Sequence, residues 1–171
     1  NLFTLALIFF GWHIAAQNAA PALIPLPGYT QFREGVFSLT EATQIQVGPA
    51  SAALMPVAVH IRSYFYQNTG TELLIVENSP ETNVIEFVLD PRIHGEEAYR
   101  LIVSPQKIVI SAGAPAGAFY AFQTLRQLLP PDFESGIRSG NVFKSQVPCV
   151  RIDDGPRFPY RGMHLDVGRH F

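Results

Sequence analysis

The chain has 171 residues, 47% of them hydrophobic and 15% charged, with a formal net charge of −2. That suffices for one domain with a sizeable core, and it is too apolar for a disordered chain. No run of Lys or Arg offers the electrostatic footprint of a nucleic-acid groove, and the one cysteine, Cys149, rules out an internal disulfide and leaves no Cys/His cluster with zinc-ligand spacing.

Residues 2–14 are nearly all apolar, from Leu2 through Trp12 to Ile14. At roughly 13 residues the run is short of the ~20 that cross a bilayer as a helix. Ala15, Ala16, Ala19 and Ala20 follow, then Pro21. This is the apolar stretch and cleavage zone of a signal peptide, cut near Ala16 or Ala20. Its basic start is missing and residue 1 is Asn, consistent with a clipped beginning. The competing reading is a buried amino-terminal helix, although nothing polar alternates along the run. The expectation is a signal peptide over 1–20 and an exported protein, secreted or periplasmic, with no stable membrane span after its removal. Such a protein with a single cysteine depends on its core rather than on disulfide staples. Cys149 reads as a small, partly buried apolar residue.

From Ala22 to about Phe37 the chain reads as extended, punctuated by Pro25, Pro27 and Gly28. Thr43–Val47 alternates with period two, a half-buried strand ended by Gly48-Pro49. Over Ser51–Gln67 the period changes. Leu54, Val57, Ile61, Tyr64 and Phe65 recur at helical steps, with Pro56 in the first turn and Gly70 as a left-handed cap. Leu73–Val76 and Val84–Leu89 read as strands around the turn-like Glu77-Asn78-Ser79-Pro80, and Asp90–Gly95 as a loop. Ala98–Val103 and Lys107–Ala112 flank Ser104-Pro105-Gln106 as a hairpin. Ala116–Leu129 is a second helix, with Phe119, Phe122, Leu125 and Leu129 as its buried stripe and Pro130-Pro131 as its stop. Residues 132–146 read as a surface loop. Val147–Ile152 is a last strand or linker strand, and Asp153-Asp154-Gly155-Pro156 a turn that bounds the domain. Strands with two interspersed helices predict an α+β fold, an α/β sandwich with the helices on one face of the sheet.

Residues 1–157 present no catalytic constellation. His94-Gly95-Glu96-Glu97-Ala98 lacks a second histidine one turn on, so it reads as a solvated loop and not a metal site. Gly113-Ala114-Pro115-Ala116-Gly117 could receive an anion at a helix start. It lacks the Lys and Ser/Thr of a nucleotide loop, and Gly117 reads better as a close contact of helix on sheet. No Gly-x-Ser-x-Gly elbow occurs. His60 stands alone on the first helix, exposed or satisfied locally. No cofactor is called for.

The tail differs. Arg161, His164, Asp166, Arg169 and His170 crowd ionisable groups among the apolar Gly162, Met163, Leu165 and Val167. Asp166 is the local anion for one of the arginines. Arg169 and His170 fall just beyond a strand over Gly162–Val167, where residues at the carboxyl end of a barrel strand face an active-site mouth. An arginine there offers a planar fork of donors suited to sugar hydroxyls. The alternative is a structural ion-pair cluster at a domain interface.

Two stretches together resemble family-20 glycoside hydrolases, the β-N-acetylhexosaminidases. One runs from Glu96-Glu97-Ala98-Tyr99-Arg100-Leu101 through Lys107–Ala112 to Pro115–Leu128, and is similar to the non-catalytic domain that precedes the barrel in that family. The other, Pro159-Tyr160-Arg161-Gly162-Met163-His164-Leu165-Asp166-Val167-Gly168-Arg169-His170-Phe171, is similar to the first strand of the family's (β/α)8 barrel. Ile24-Pro25-Leu26-Pro27 fits as well.

The resemblance implies a zincin-like accessory domain over 21–155 that packs on its own barrel, and over 156–171 the start of that barrel, truncated. It implies hydrolysis of terminal non-reducing N-acetylhexosamine from glycans, with retention and with the substrate assisting. It assigns Arg169 to the sugar hydroxyls, Asp166 and His170 to support, and Arg161 to a structural role at the start of the strand. The family's Asp-Glu pair, which orients the acetamido group and protonates the leaving oxygen, falls beyond residue 171. Neither Asp153-Asp154 nor Glu96-Glu97 replaces it, so the fragment is expected to be inactive. The rivals are a free-standing glycan- or protein-binding module, which lacks a clear aromatic platform, and a zinc peptidase-like protein, which lacks the metal motif.

Overall fold

The computed structural model describes residues 21–78, 81–135, 144–164 and 168. The signal-peptide expectation for 1–20 and the site expectations for Asp166, Arg169 and His170 lie outside these residues. The strands are β1 Tyr29–Thr40, β2 Gln44–Val47, β3 Ile75–Val76, β4 Val84–Leu89, β5 Tyr99–Val103, β6 Lys107–Ala112 and β7 Lys144–Asp154. The helices are α1 Met55–Thr69 and α2 Pro115–Leu128, each followed or preceded by a 3-10 turn, Pro49–Leu54 before α1 and Pro131–Ser135 after α2. The strands form one 7-stranded mixed sheet in the order β1-β7-β5-β6-β4-β2-β3. The fold is α+β, as expected.

Period-two alternation settles which face is covered. Tyr99, Leu101 and Val103 of β5 stand opposite Ala112, Ile110 and Ile108 of β6, and all are buried. Ile45, Ile85 and Phe87 extend that row across β2 and β4. Both helices add to the same core: Val57, Ala58, Ile61 and Phe65 from α1, and Ala118, Ala121, Phe122 and Leu125 from α2. Pro56 lies in the first turn of α1, where its missing N–H costs nothing. Gly70 caps that helix at φ 72° and its N–H reaches the Tyr66 carbonyl.

Three expectations need correction. The segment read only as extended contains β1, a 12-residue edge strand. Its alternation is broken by a bulge between Phe32 and Val36, at which Gly35 takes φ 99°. A bulge shifts the phase of the pattern, and only past it do Phe37 and Leu39 enter the core. β7 is longer than expected at both ends. It begins at Lys144 inside the presumed loop and runs through Asp153 and Asp154 instead of turning there. Those acids tolerate a strand because partners hold them. Asp153 accepts from Arg100 at 2.5 Å and Arg151 at 2.8 Å, and Asp154 accepts from the Gly28 N–H at 3.0 Å. Finally, Phe119 is not in the buried stripe of α2 but 38% exposed. The helix lies flat on the sheet through Gly117, Ala118 and Ala121, which turns Phe119 outward against the exposed His60, with ring centroids 5.6 Å apart.

The two helices are tied at their far ends. Glu134 accepts from the Tyr64 hydroxyl at 2.7 Å and from Arg126 Nη2 at 2.7 Å, while that guanidinium lies 4.9 Å from the Tyr64 ring centre. Burial and then Glu134 push the Tyr64 hydroxyl well above its ordinary value. The hydrogen bonds from Tyr64 and Arg126 lower Glu134 below the usual carboxylate range. A carboxylate lowered in the folded state contributes stability above its unfolded pKa and loses it as pH falls through the folded one. Glu134 is solvent-exposed, so Glu134→Gln is expected to cost under ~1 kcal/mol at neutral pH. That difference should close at a pH well below the carboxylate range, as read from urea midpoints of the two proteins.

Candidate functional site

The two ends of the domain meet over one side of α2. The incoming segment is clamped by Gln127, whose side-chain oxygen accepts from the Ile24 N–H at 2.8 Å and whose amide donates to the Ile24 carbonyl at 3.0 Å. A few residues on, the Gly28 N–H donates to Asp154, the last residue of β7. The outgoing segment then follows. Between the two lies a cavity of about 490 Å³, lined by Leu23, Pro25, Leu26, Tyr99, Tyr120, Gln123, Phe158 and their neighbours.

Polar groups at its floor are matched to one another. The Tyr99 hydroxyl shares a hydrogen with Thr124 Oγ1 at 2.5 Å and reaches Asp154 Oδ2 at 3.4 Å. Tyr99 is buried, and burial pushes its hydroxyl up to about 12, so it stays neutral and serves as a hydrogen-bonding post. At the rim, Glu97 pairs with Arg161 Nη2, and Arg161 Nη1 donates to the Phe158 carbonyl at 2.9 Å. The outer face of the sheet is similarly paired. Arg100 and Arg151 share Asp153, Lys107 meets Glu86 at 2.6 Å, and Arg151 lies 5.6 Å from the Tyr29 ring centre. Burial opposes the ionised form of Asp153, but its two arginines prevail and hold it below the usual range.

Each carboxylate described in these two clusters therefore already has a donor, and none is poised as a general base. Among the described residues no group of three or more His, Cys, Asp or Glu could hold a metal ion. No helix among them is long and apolar enough to cross a membrane. Cys149 is buried against β1, and burial alone raises its thiol pKa.

Of the tail residues singled out in the sequence, Arg161 is brought to Glu97. His164 is exposed and pairs with no strand. Of the strand expected over Gly162–Val167, the described residues Gly162–His164 have no regular structure, and the rest lies outside the described residues. Tyr160 and Met163 are 87% and 86% exposed. Sequence reasoning missed Gln127, Asp154 and Glu97. Glu97 and Gln127 carried a signal only through their place in the stretch similar to family-20 enzymes, and Asp154 read as a turn residue.

Fold and site together define an α+β unit whose incoming and outgoing segments meet beside α2, with the described carboxylates of its two clusters paired to donors. The chain belongs to glycosyl hydrolase family 20: the family model described as "Glycosyl hydrolase family 20, domain 2" matches residues 20–155. A beta-hexosaminidase of Porphyromonas gingivalis is 34% identical over 87% of the chain, and a beta-N-acetylhexosaminidase of Cellulomonas fimi 33% identical over 88%. The chain spans only 19% and 29% of those relatives. Among solved structures, a mutant Streptomyces plicatus beta-hexosaminidase in complex with product (GlcNAc) superposes with TM-score 0.71 at 30% identity, covering 87% of this chain and 29% of that one. A Vibrio harveyi exo beta-N-acetylglucosaminidase in complex with N-acetylglucosamine gives 0.66 at 29% identity, covering 89% and 22%.

Proposed function

We propose that these residues are the amino-terminal portion of an exported β-N-acetylhexosaminidase that removes terminal non-reducing N-acetylhexosamine from glycans. The observation that carries this reading is one of order. The family match over residues 20–155 is followed directly by Pro159–Phe171, with its barrel-strand pattern and Arg169. On this reading residues 1–20 are the signal peptide, residues 21–155 a zincin-like accessory domain, and residues 156–171 the first strand of a (β/α)8 barrel. Arg169 grips hydroxyls of the terminal sugar through charge-assisted hydrogen bonds, with Asp166 and His170 orienting it.

Chemistry in this reading is substrate-assisted. The acetamido oxygen of the bound sugar attacks its own anomeric carbon as the glycosidic bond breaks, and a carboxylic acid protonates the leaving oxygen. Water then opens the oxazolinium ring, which returns the sugar with retained configuration. The Asp-Glu pair for these steps belongs to the part of the parent beyond residue 171, so the 171 residues alone are inactive.

Release of nitrophenol from a nitrophenyl N-acetylglucosaminide tests the assignment. The full-length parent should turn over and the isolated chain should not. Arg169→Ala in the parent should lower kcat/KM by ~100-fold or more, because hydrogen bonds from a charged group are worth about 1.5–3 kcal/mol each. Unchanged kinetics in that variant would remove Arg169 from the site.

A further inference from the structure

Among the described residues of the outgoing segment, Arg161 is tied to the domain through its side chain. Beyond β7 the chain has no regular structure over residues 155–164, and Phe158, Tyr160 and Met163 are exposed. Arg161 is the residue of that stretch with side-chain partners on the domain. Its guanidinium spans Glu97 and its own chain's Phe158 carbonyl, and Tyr120 of α2 lines the same cavity beside it. The carboxylate it meets is rigidly placed. Glu97 lies in the short connection before β5, between two backbone tethers. The Glu96 carbonyl accepts from the Gly117 N–H at 2.9 Å, and the Ala98 N–H reaches the Gly95 carbonyl at 3.3 Å. Gly117 sits so close beneath Ala98 that this connection cannot sink or slide without moving α2. Because the guanidinium also holds the Phe158 carbonyl of its own segment, the pair with Glu97 ties the backbone at Phe158 as well as Arg161 to that carboxylate, which a lysine's single point charge does not do.

We propose that Glu97 is a positioning residue of the hexosaminidase. By holding Arg161, it sets the direction in which the segment bearing Arg169 leaves the accessory domain. The domain then takes part in sugar binding without touching the sugar. This rests on the function proposed above and assigns to residues of the α+β unit a part in it.

The test uses the full-length parent and the same nitrophenyl N-acetylglucosaminide. Glu97→Gln keeps the shape of the side chain and removes the charge that grips Arg161. It is expected to raise KM about 10-fold with a smaller change in kcat, since misplacing a group in the site by about 1 Å costs up to ~100-fold and a change relayed from outside the site costs less. The thermal midpoint should stay close to that of the wild type, because the pair is partly exposed. Arg161→Gln should raise KM alike, and Glu97→Gln with Arg161→Gln no further, as for two residues acting through one contact. Glu97→Asp should recover most of the loss. In the 171-residue chain itself, Glu97→Gln should speed tryptic cleavage after Arg161. Wild-type KM in Glu97→Gln would overturn the proposal, as would additive losses in the double variant or activity that falls only as the thermal midpoint falls. A wild-type parent that releases no nitrophenol would instead overturn the hexosaminidase reading, and this assignment with it.

Discussion

Replacing Gly117 by alanine is expected to destabilise the domain by ~3 kcal/mol, although alanine is the better helix former by up to ~1 kcal/mol. A Cβ at this position would stand 2.2 Å from the Ala98 carbonyl oxygen and 3.0 Å from its carbon. Both are backbone atoms of the turn into β5, so no side chain can swing aside. Either α2 lifts from the sheet or the Gly95–Ala98 connection is displaced, and with it the hydrogen bond from Gly117 to Glu96. Gly48→Ala is the control: a Cβ there meets only the Glu77 carbonyl oxygen at 3.7 Å, an ordinary contact. Denaturant midpoints of the two variants measure the difference. A Gly117→Ala protein as stable as the wild type would mean that helix and connection do not touch as described. In the parent enzyme the same change should also disturb Glu97, so activity should fall together with stability.

Phe122→Ala is expected to cost about 3–5 kcal/mol, a large part of the stability of a domain of this size. Its ring is 0% exposed, meets Tyr64 edge-on at 5.1 Å and His60 at 5.9 Å, and fills the space between α1, α2 and the sheet. Alanine leaves a cavity bounded by both helices, which are each tethered elsewhere and cannot collapse into it. Phe119→Ala, one turn earlier on the same helix, should cost under ~1 kcal/mol, because that ring is already 38% exposed. Thermal unfolding followed by circular dichroism separates them. Equal losses would restore the expectation drawn from periodicity, in which both phenylalanines share the buried stripe.

That pair of phenylalanines shows where a sequence pattern stops informing. Periodicity placed α1, α2 and β2, because each buries one face at its own period, while turn residues bounded β4 and the β5–β6 hairpin. It did not decide which face of α2 presses on the sheet. Gly117, Ala118 and Ala121 offer little apolar area individually, yet they allow the closest approach, and close approach is settled by both surfaces together. Likewise β1 and the ends of β7 were unreadable, since a bulge shifts the alternation in one and two aspartates interrupt the other. Asp153 and Asp154 become strand residues only when Arg100, Arg151 and the Gly28 N–H are brought to them from β5, from β7 and from the incoming segment.

The site divides in the same way. Arg161 stood out as one of a group of charges crowded among apolar neighbours, and the similarity to family 20 lay in contiguous stretches that a single chain displays. Its partner did not stand out. Glu97 reads in the sequence as one of two adjacent acids in a solvated loop, and its role depends on where the chain returns after β7. The sequence by itself determined the α+β class, the two helices with the Gly70 cap of the first, and the family. Those depend on residues near one another along the chain. The tertiary structure alone decided the covered face of α2, the strand character of Asp153 and Asp154, and the meeting of Glu97 with Arg161. Each of these is a contact between distant segments, whose energy exists only once both have been brought together.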